Sequence, residues 1–324
     1  MRLPNPLCLL FALAVIPAWV PACWGQTSGP PLRVLVAVPA GGTSDAVARI
    51  LAPALRTGLG RPVVVENKPG ATGRIAVETL RNASPDGATL LLAPIAIPVL
   101  VPLVFRNAGY DPVRDLAPVG EVARYEVALA VSGEHSARTL AEFVAWVRTD
   151  PSMRTYGSPG AGSLGHYLGA MFDRMSGVAL VHVPYQGVSQ LVTELMGRQI
   201  AAGISVLPDL IALHQAGRIR VLATAGGQRS RFTPLVPTFL EQGWPGLEMA
   251  GWLGMFAPAD ATRAERERLS QAIAAALALP DIRDRLTGLA LDVTGTTPDA
   301  LAATVSADIA RWRQIVKASG FSAD

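Results

Sequence analysis

Hydrophobic positions fall along this chain in two alternating textures, and the alternation returns twice. Residues 33–55, RVLVAVPAGGTSDAVARILAPAL, open as a continuous apolar run and pass through a glycine turn. They end in a segment where Val47, Ile50, Leu51, Ala54 and Leu55 recur at helical spacing. Residues 61–80, RPVVVENKPGATGRIAVETL, repeat the scheme with a strand at Val63 to Val65, and ATLLLAP follows as a third strand. The same grammar returns over 155–175, 178–196 and 200–217. Fully apolar strands alternating with helices predict an α/β protein with parallel-rich sheets flanked by helices, whose ligands bind beyond the carboxyl ends of the strands.

Two extended segments, EVALAVSG at 126–133 and GWLGMFAPAD at 251–260, follow the two series. The helical stretches 261–280 and 298–320 have no strand series of their own and are expected to return to the first half. The expected organisation is two lobes joined by two crossings with a ligand cleft between them. Lobe 1 comprises residues 27–128 plus 254–324, and lobe 2 residues 129–253.

Composition narrows the function classes. Half of the 324 residues are hydrophobic and 16% are charged, with a formal net charge of +3, so a buried core is available. No basic run or stripe interleaved with aromatics suggests a nucleic-acid partner. Residues 1–26 carry one charge, Arg2, ahead of an apolar run from Leu7 to Val20 and small residues near Ala22 to Gly25, the layout of a secretory signal peptide. Export to the periplasm is therefore expected. Cleavage is placed near Gly25; a lipid-bearing Cys23 is the alternative. Cys8 lies inside the signal, so no intramolecular disulfide is expected.

The chemistry lies in the turns. Ala40, Gly41, Gly42, Thr43, Ser44 and Asp45 present backbone N–H groups and hydroxyls at a helix start, where the helix dipole adds roughly half a positive charge. Such a turn suits a carboxylate. Asp45 either caps those N–H groups or meets ligand. The mirror element is Ser158 with Gly160 to Ser163, again before a helix. Its Gly160-Ala161-Gly162-Ser163-Leu164-Gly165 is a literal G-x-G-x-x-G, yet the next strand, VALVHVP, ends without the acidic residue a dinucleotide ribose requires. No cofactor is expected.

His135, His166, His182 and His214 lack metal-ligand spacing, and neither a G-x-S-x-G nor a phosphate-loop motif occurs. Ser163 and His166 could share a helical face, but no complete nucleophile, base and oxyanion set assembles around them, so no enzyme is expected. Tyr185 and Gln186, after a strand and Pro184, should reach the cleft, and Ser205 with Asp209 ends the third unit of the same half.

Taken together, Ala40 to Arg49, LGRPVVVENKPGATG, SPDGATLLLA, YGSPGAGSLGH, VHVPYQG, AGRIRVLATAGGQRS, VPTFLEQGWPG and RWRQIVKASGF are similar to the substrate-binding proteins of tripartite tricarboxylate transporters, often called Bug proteins. The likeness runs in order over nearly the whole mature chain. It implies a type II periplasmic binding protein-like fold that closes over a small mono- or dicarboxylate and delivers it to membrane permease subunits, with a monomer expected. A sensory protein presenting its closed form to a membrane sensor is the alternative. The resemblance nominates Ala40, Gly41, Gly42, Thr43 and Asp45 from one lobe, and Ser158, Ala161, Gly162, Ser163, His166, Tyr185 and Gln186 from the other. The chain departs from the family pattern at Gly70-Ala71-Thr72-Gly73-Arg74, at Gln186 in place of lysine, and at Gly197 to Ala201, which lack an acid. Arg74 is a candidate counter-charge for a second carboxylate, or an exposed arginine at a helix start.

Overall fold

The structure, a computed structural model, describes residues 29–322. The signal segment and Cys23 lie outside them. In chain order the first series is β1 (Leu32–Val36), α1 (Thr43–Leu59), β2 (Val63–Asn67), α2 (Arg74–Arg81), β3 (Thr89–Pro94), α3 (Val101–Val104) and α4 (Pro112–Asp115). The long strand β4 (Leu116–Ser132) leads to α5 (Leu140–Thr149), β5 (Thr155–Ser158), α6 (Leu164–Ser176), β6 (Val181–Pro184), α7 (Val188–Met196), β7 (Ala202–Val206), α8 (Leu207–Gln215) and β8 (Ile219–Thr224). The chain returns through β9 (Ala250–Pro258) and closes with α9 (Arg263–Ala278), α10 (Pro280–Gly288), β10 (Asp292–Val293) and α11 (Pro298–Ser319).

The apolar runs occupy the places where both faces of a sheet are covered. β1 pairs in parallel with β2 and β3, and residues 89–93 of β3 are buried without alternation, as expected of an interior strand. β9 runs antiparallel to β3 and then to β4, which completes the first lobe's sheet. In the second lobe β5 is parallel to β6 and β7, and β4 takes both β7 and β8 antiparallel.

β4 therefore serves both sheets. It pairs with β9 from Leu116↔Pro258 to Glu126↔Ala250, and with β7 from Val127↔Val206 onward. The two crossings are adjacent paired strands. The first ten residues of β4 carry no strand signal in the sequence, because Pro118 and Gly120 interrupt it. The register shifts between Pro118 and Gly120 and again between Glu121 and Ala123, so bulges accommodate the interruption.

The helices cover the sheets as their apolar faces require. α9 packs on α1, and α11 lies against β4, so the closing helices return to the first lobe. The main core runs through both lobes, with a smaller cluster around Leu191, Leu195, Leu207 and Leu210 beneath the second. The end of the chain also touches the second lobe: the Trp312 and Phe321 rings meet Tyr167 edge-on at 5.1 and 5.3 Å. No helix among the described residues is long and apolar enough to cross a membrane.

Candidate functional site

Both glycine turns face the opposite lobe. A Cβ placed on Gly41 would lie 3.7 Å from Ser189 Oγ, and one on Gly187 would lie 3.2 Å from Pro39, so the α1 turn abuts the start of α7. A Cβ on Gly162 would come within 2.8 Å of the Phe105 ring, which follows α3. Gly41 and Gly162 have φ of 92° and 74°, so glycine serves a left-handed backbone at both and, at Gly162, a close approach as well.

The α1 turn is held by carboxylates. Asp45 is buried, and its Oδ2 accepts from Gly41 N at 3.0 Å while Oδ1 accepts from Asn67 Nδ2 at 2.9 Å; Arg49 Nε donates to both oxygens. Burial alone would raise the Asp45 pKa, but the bonds from Arg49, Gly41 and Asn67 outweigh it and hold the group below its ordinary value. The Thr43 amide and hydroxyl donate to Asp209 Oδ1, at the start of α8, over 3.1 and 2.5 Å. Ser205 Oγ donates to Asp209 Oδ2 at 2.7 Å. This contact joins the two lobes directly. Desolvation pushes the Asp209 pKa up against the effect of those three donors.

The α6 turn is held by neutral groups. Ser163 caps the helix by accepting from His166 N at 3.2 Å, and Gly162 N donates to His166 Nδ1 at 3.1 Å. Accepting at Nδ1 leaves neutral His166 with its proton on Nε2. Ser163 Oγ donates to Ser158 Oγ at 3.3 Å, Ser158 Oγ donates to Gly160 O at 3.0 Å, and His182 Nε2 lies 2.8 Å from the same hydroxyl. The two imidazoles stack with centroids 3.6 Å apart, and Phe321 stands edge-on to His166 at 4.7 Å. Desolvation lowers His166 to about 4 and, with the neighbouring imidazole, His182 to about 3, so both are neutral near pH 7.

The sequence-nominated residues divide accordingly. Ala40, Gly41 and Gln186 are exposed, while Gly42, Thr43, Ala161, Ser163, His166 and Tyr185 are partly buried. Ser158 is fully enclosed, so its hydroxyl is available to its neighbours and not to direct contact from the cleft. The Tyr185 ring packs over Gly157, in reach of any Cβ placed there at 2.6 Å. Arg74 donates to Ala71 O and Asn107 O, both at 2.9 Å, and its guanidinium lies 5.2 Å from the Phe105 ring centroid. Its charge is thus tied to the first lobe's rim.

Two residues of this region were not nominated. Asp209 left a signal, since it follows the third strand of its half and opens a helix. Tyr125 left none, lying in the interrupted part of β4. It is 4% exposed, and any Cβ on Gly251 would strike its ring within 2.3 Å and Leu164 Cδ1 at 2.8 Å. Tyr125 therefore sits between the crossings and the first residue of α6. No group of three metal-ligating side chains occurs among the described residues.

Comparison with known proteins gives consistent relatives. The family model described as the tripartite tricarboxylate transporter family receptor matches residues 47–321. Protein BugT of Bordetella pertussis is 30% identical over 291 residues, covering 90% of this chain and 89% of BugT. Among solved structures, the R. palustris protein Rpa4515 with adipate superposes with a TM-score of 0.86 at 30% identity, over 90% of this chain and 98% of that one. MatC from Rhodopseudomonas palustris with bound malate gives 0.83 at 27% identity, over 88% and 98%.

Proposed function

Because the chain belongs to the tripartite tricarboxylate transporter receptor family, we propose that it is an extracytoplasmic solute receptor that closes its two lobes over a small organic carboxylate and delivers it to a tripartite tricarboxylate-type permease. The ligands named for the structural relatives, adipate and malate, support a carboxylate as cargo. The apolar N-terminal segment supports export and a periplasmic location. Lobe 1 is taken as residues 27–128 plus 254–324 and lobe 2 as 129–253, with both boundaries in the paired crossings.

The observation that carries the reading is the Thr43–Asp209 bond. It brings the α1 turn of one lobe against the α8 start of the other, so the helix starts that can hold an anion converge where the lobes meet. Ala40, Gly41, Gly42, Thr43 and Asp45 form one wall of the proposed site; Ser158, Ala161, Gly162, Ser163, His166, Tyr185 and Gln186 form or support the other. Capture between closing lobes excludes water and strengthens each hydrogen bond to the anion. The serine and histidine groups are engaged with one another in a buried network, which supports a binding role over a catalytic one.

The test is a thermal-shift screen of the mature protein with small mono- and dicarboxylates. A ligand at a hundred times its Kd should add about 2.7 kcal/mol of stability, a rise of several degrees in Tm. A broad screen of organic and amino acids that moves nothing would count against the receptor reading.

A further inference from the structure

We propose that Asp209 is a positioning residue for closure: it caps α1 from across the cleft, so the helix is complete when the lobes are shut and loses its cap when they part. The inference rests on the receptor reading and names what favours the closed form apart from cargo.

α1 starts without a local cap. Its N-cap is Gly42, which has no side chain to accept from the first amides of the helix. The acid in its first turn, Asp45, is committed to Gly41 N, Asn67 and Arg49. The Thr43 amide and hydroxyl go instead to Asp209 Oδ1, 166 residues further along the chain, at 3.1 and 2.5 Å. A capping side chain ordinarily comes from the stretch of chain that leads into its helix. This one arrives only when the lobes meet.

The surroundings of Asp209 direct it to that task. It stands in the first turn of α8, where an acid ordinarily serves its own helix start. The N-cap of α8 is Val206, with no side-chain cap bond, and the carboxylate turns outward: Ser205 Oγ, from β7, donates to Oδ2 at 2.7 Å and leaves Oδ1 to Thr43. Beside this bond the α1 turn meets the start of α7 by ordinary packing, since a Cβ on Gly41 would lie 3.7 Å from Ser189 Oγ and one on Gly42 3.9 Å from Val188 Cγ1. Such packing tolerates small shifts of one lobe against the other. Two donors converging on one carboxylate oxygen do not.

When the lobes part, the Thr43 donors and the carboxylate return to water, so the net effect of the clasp is that of a cap bonded to a charged group, about tenfold in the ratio of closed to open forms. That factor is independent of which acid lies in the cleft. Thr43 then builds its wall of the site through Asp209, and its amide is not offered to cargo.

Pulsed dipolar spectroscopy tests this on the cargo-free mature protein, with spin labels at Glu78→Cys on α2 and Gln190→Cys on α7, two exposed positions. The otherwise unaltered protein should show a short-distance population, and Asp209→Ala should lower its ratio to the long-distance population about tenfold. Asp209→Asn, which keeps an acceptor able to cap, should restore most of it. Thr43→Val should act in the same direction from the other lobe, and the double variant with Asp209→Ala should go no further than Asp209→Ala alone. Absence of the short-distance population, or an unchanged ratio in Asp209→Ala, would overturn the inference. Calorimetry with adipate, malate and any acid found in the thermal-shift screen supplies the second arm. Asp209→Ala should weaken all binders by one common factor and leave their order unchanged; a loss confined to some acids would make Asp209 a cargo contact and overturn the clasp while the receptor reading stands. If no acid binds in that screen, the receptor reading falls, and the distances still decide whether Asp209 holds the lobes together.

Discussion

The turn before α1 and the turn before α6 use the same backbone device and opposite chemistry. Each places glycines with positive φ at a helix start facing the other lobe. At α1 the N–H groups of Gly41 and Thr43 go to the carboxylates of Asp45 and Asp209. At α6 the corresponding duties fall to a neutral imidazole and a hydroxyl. A glycine turn before a helix thus specifies that an anion can be held, while the surrounding side chains decide whether the protein has already provided one. The second turn is held without any carboxylate among its own bonds, so on the proposed receptor function it would be the better seat for a ligand carboxylate.

The contrast breaks most visibly in acid. His166 and His182 have pKa values depressed to about 4 and about 3 from an ordinary 6.5, so the unfolded chain binds more protons than the native one as pH falls below 6.5. Stability should be lost progressively from about pH 6.5 down to about pH 3, by a total on the order of 3–5 kcal/mol after discounting for coupling between the stacked rings. Asp209 works in the other direction. Its raised pKa means that protonation relieves a desolvated charge, so its contribution improves as pH falls through the folded value. Urea melts at a series of pH values should show a steep slope in the wild type, flattened by His166→Gln or His182→Gln and steepened by Asp209→Asn. An unchanged slope in both histidine variants would show that the α6 turn is not sealed as described.

A second contrast concerns space. A Cβ on Gly165 would lie 2.3 Å from the carbonyl oxygen of Ile204 in β7, whereas one on Gly42 would meet nothing closer than 3.8 Å. Gly165→Ala must move α6 away from its sheet and should cost about 2–3 kcal/mol, read as a fall in the urea midpoint without a change in slope. Because Gly162 and Ser163 precede that helix, ligand affinity should fall with it.

Much of this was legible before any coordinates. The apolar runs marked β1, β3 and β7, because a strand covered on both faces leaves a continuous signal, while β2 and β6 were marked by β-branched runs although they lie at the sheet edges, and the glycine turns marked the starts of α1 and α6. The first ten residues of β4 were not legible, since Pro118 and Gly120 read as breakers and the bulges that absorb them depend on β9, which is more than a hundred residues away. The role of Asp45 was open in the sequence because a carboxylate in a first helical turn can cap or can meet ligand; Arg49 and Asn67, which draw it inward, are ordinary polar residues until α1 and β2 are packed together. Thr43 and Asp209 come together only when the lobes meet, and no local pattern encodes a contact between α1 and α8.

Asp45 and Gly42 give the smaller effects and sharpen the comparison from the α1 side. Asp45→Ala removes a buried acceptor shared by the Gly41 amide, Asn67 and Arg49, so the change should cost about 2 kcal/mol at neutral pH. The sign of its pH dependence is fixed by its depressed pKa. The stabilising contribution is complete above the unfolded value, near 3.8, and disappears as pH falls through the lower folded value, so wild type and variant should converge only in strong acid. Gly42→Ala, by contrast, keeps a φ of −86° that any residue tolerates and finds only ordinary contacts, so its effect on stability should be within about 1 kcal/mol. If Gly42→Ala were as damaging as Gly165→Ala, the α1 turn would be as tightly packed as the α6 turn. The distinction between a turn secured by carboxylates and one secured by close packing against β7 would then fail.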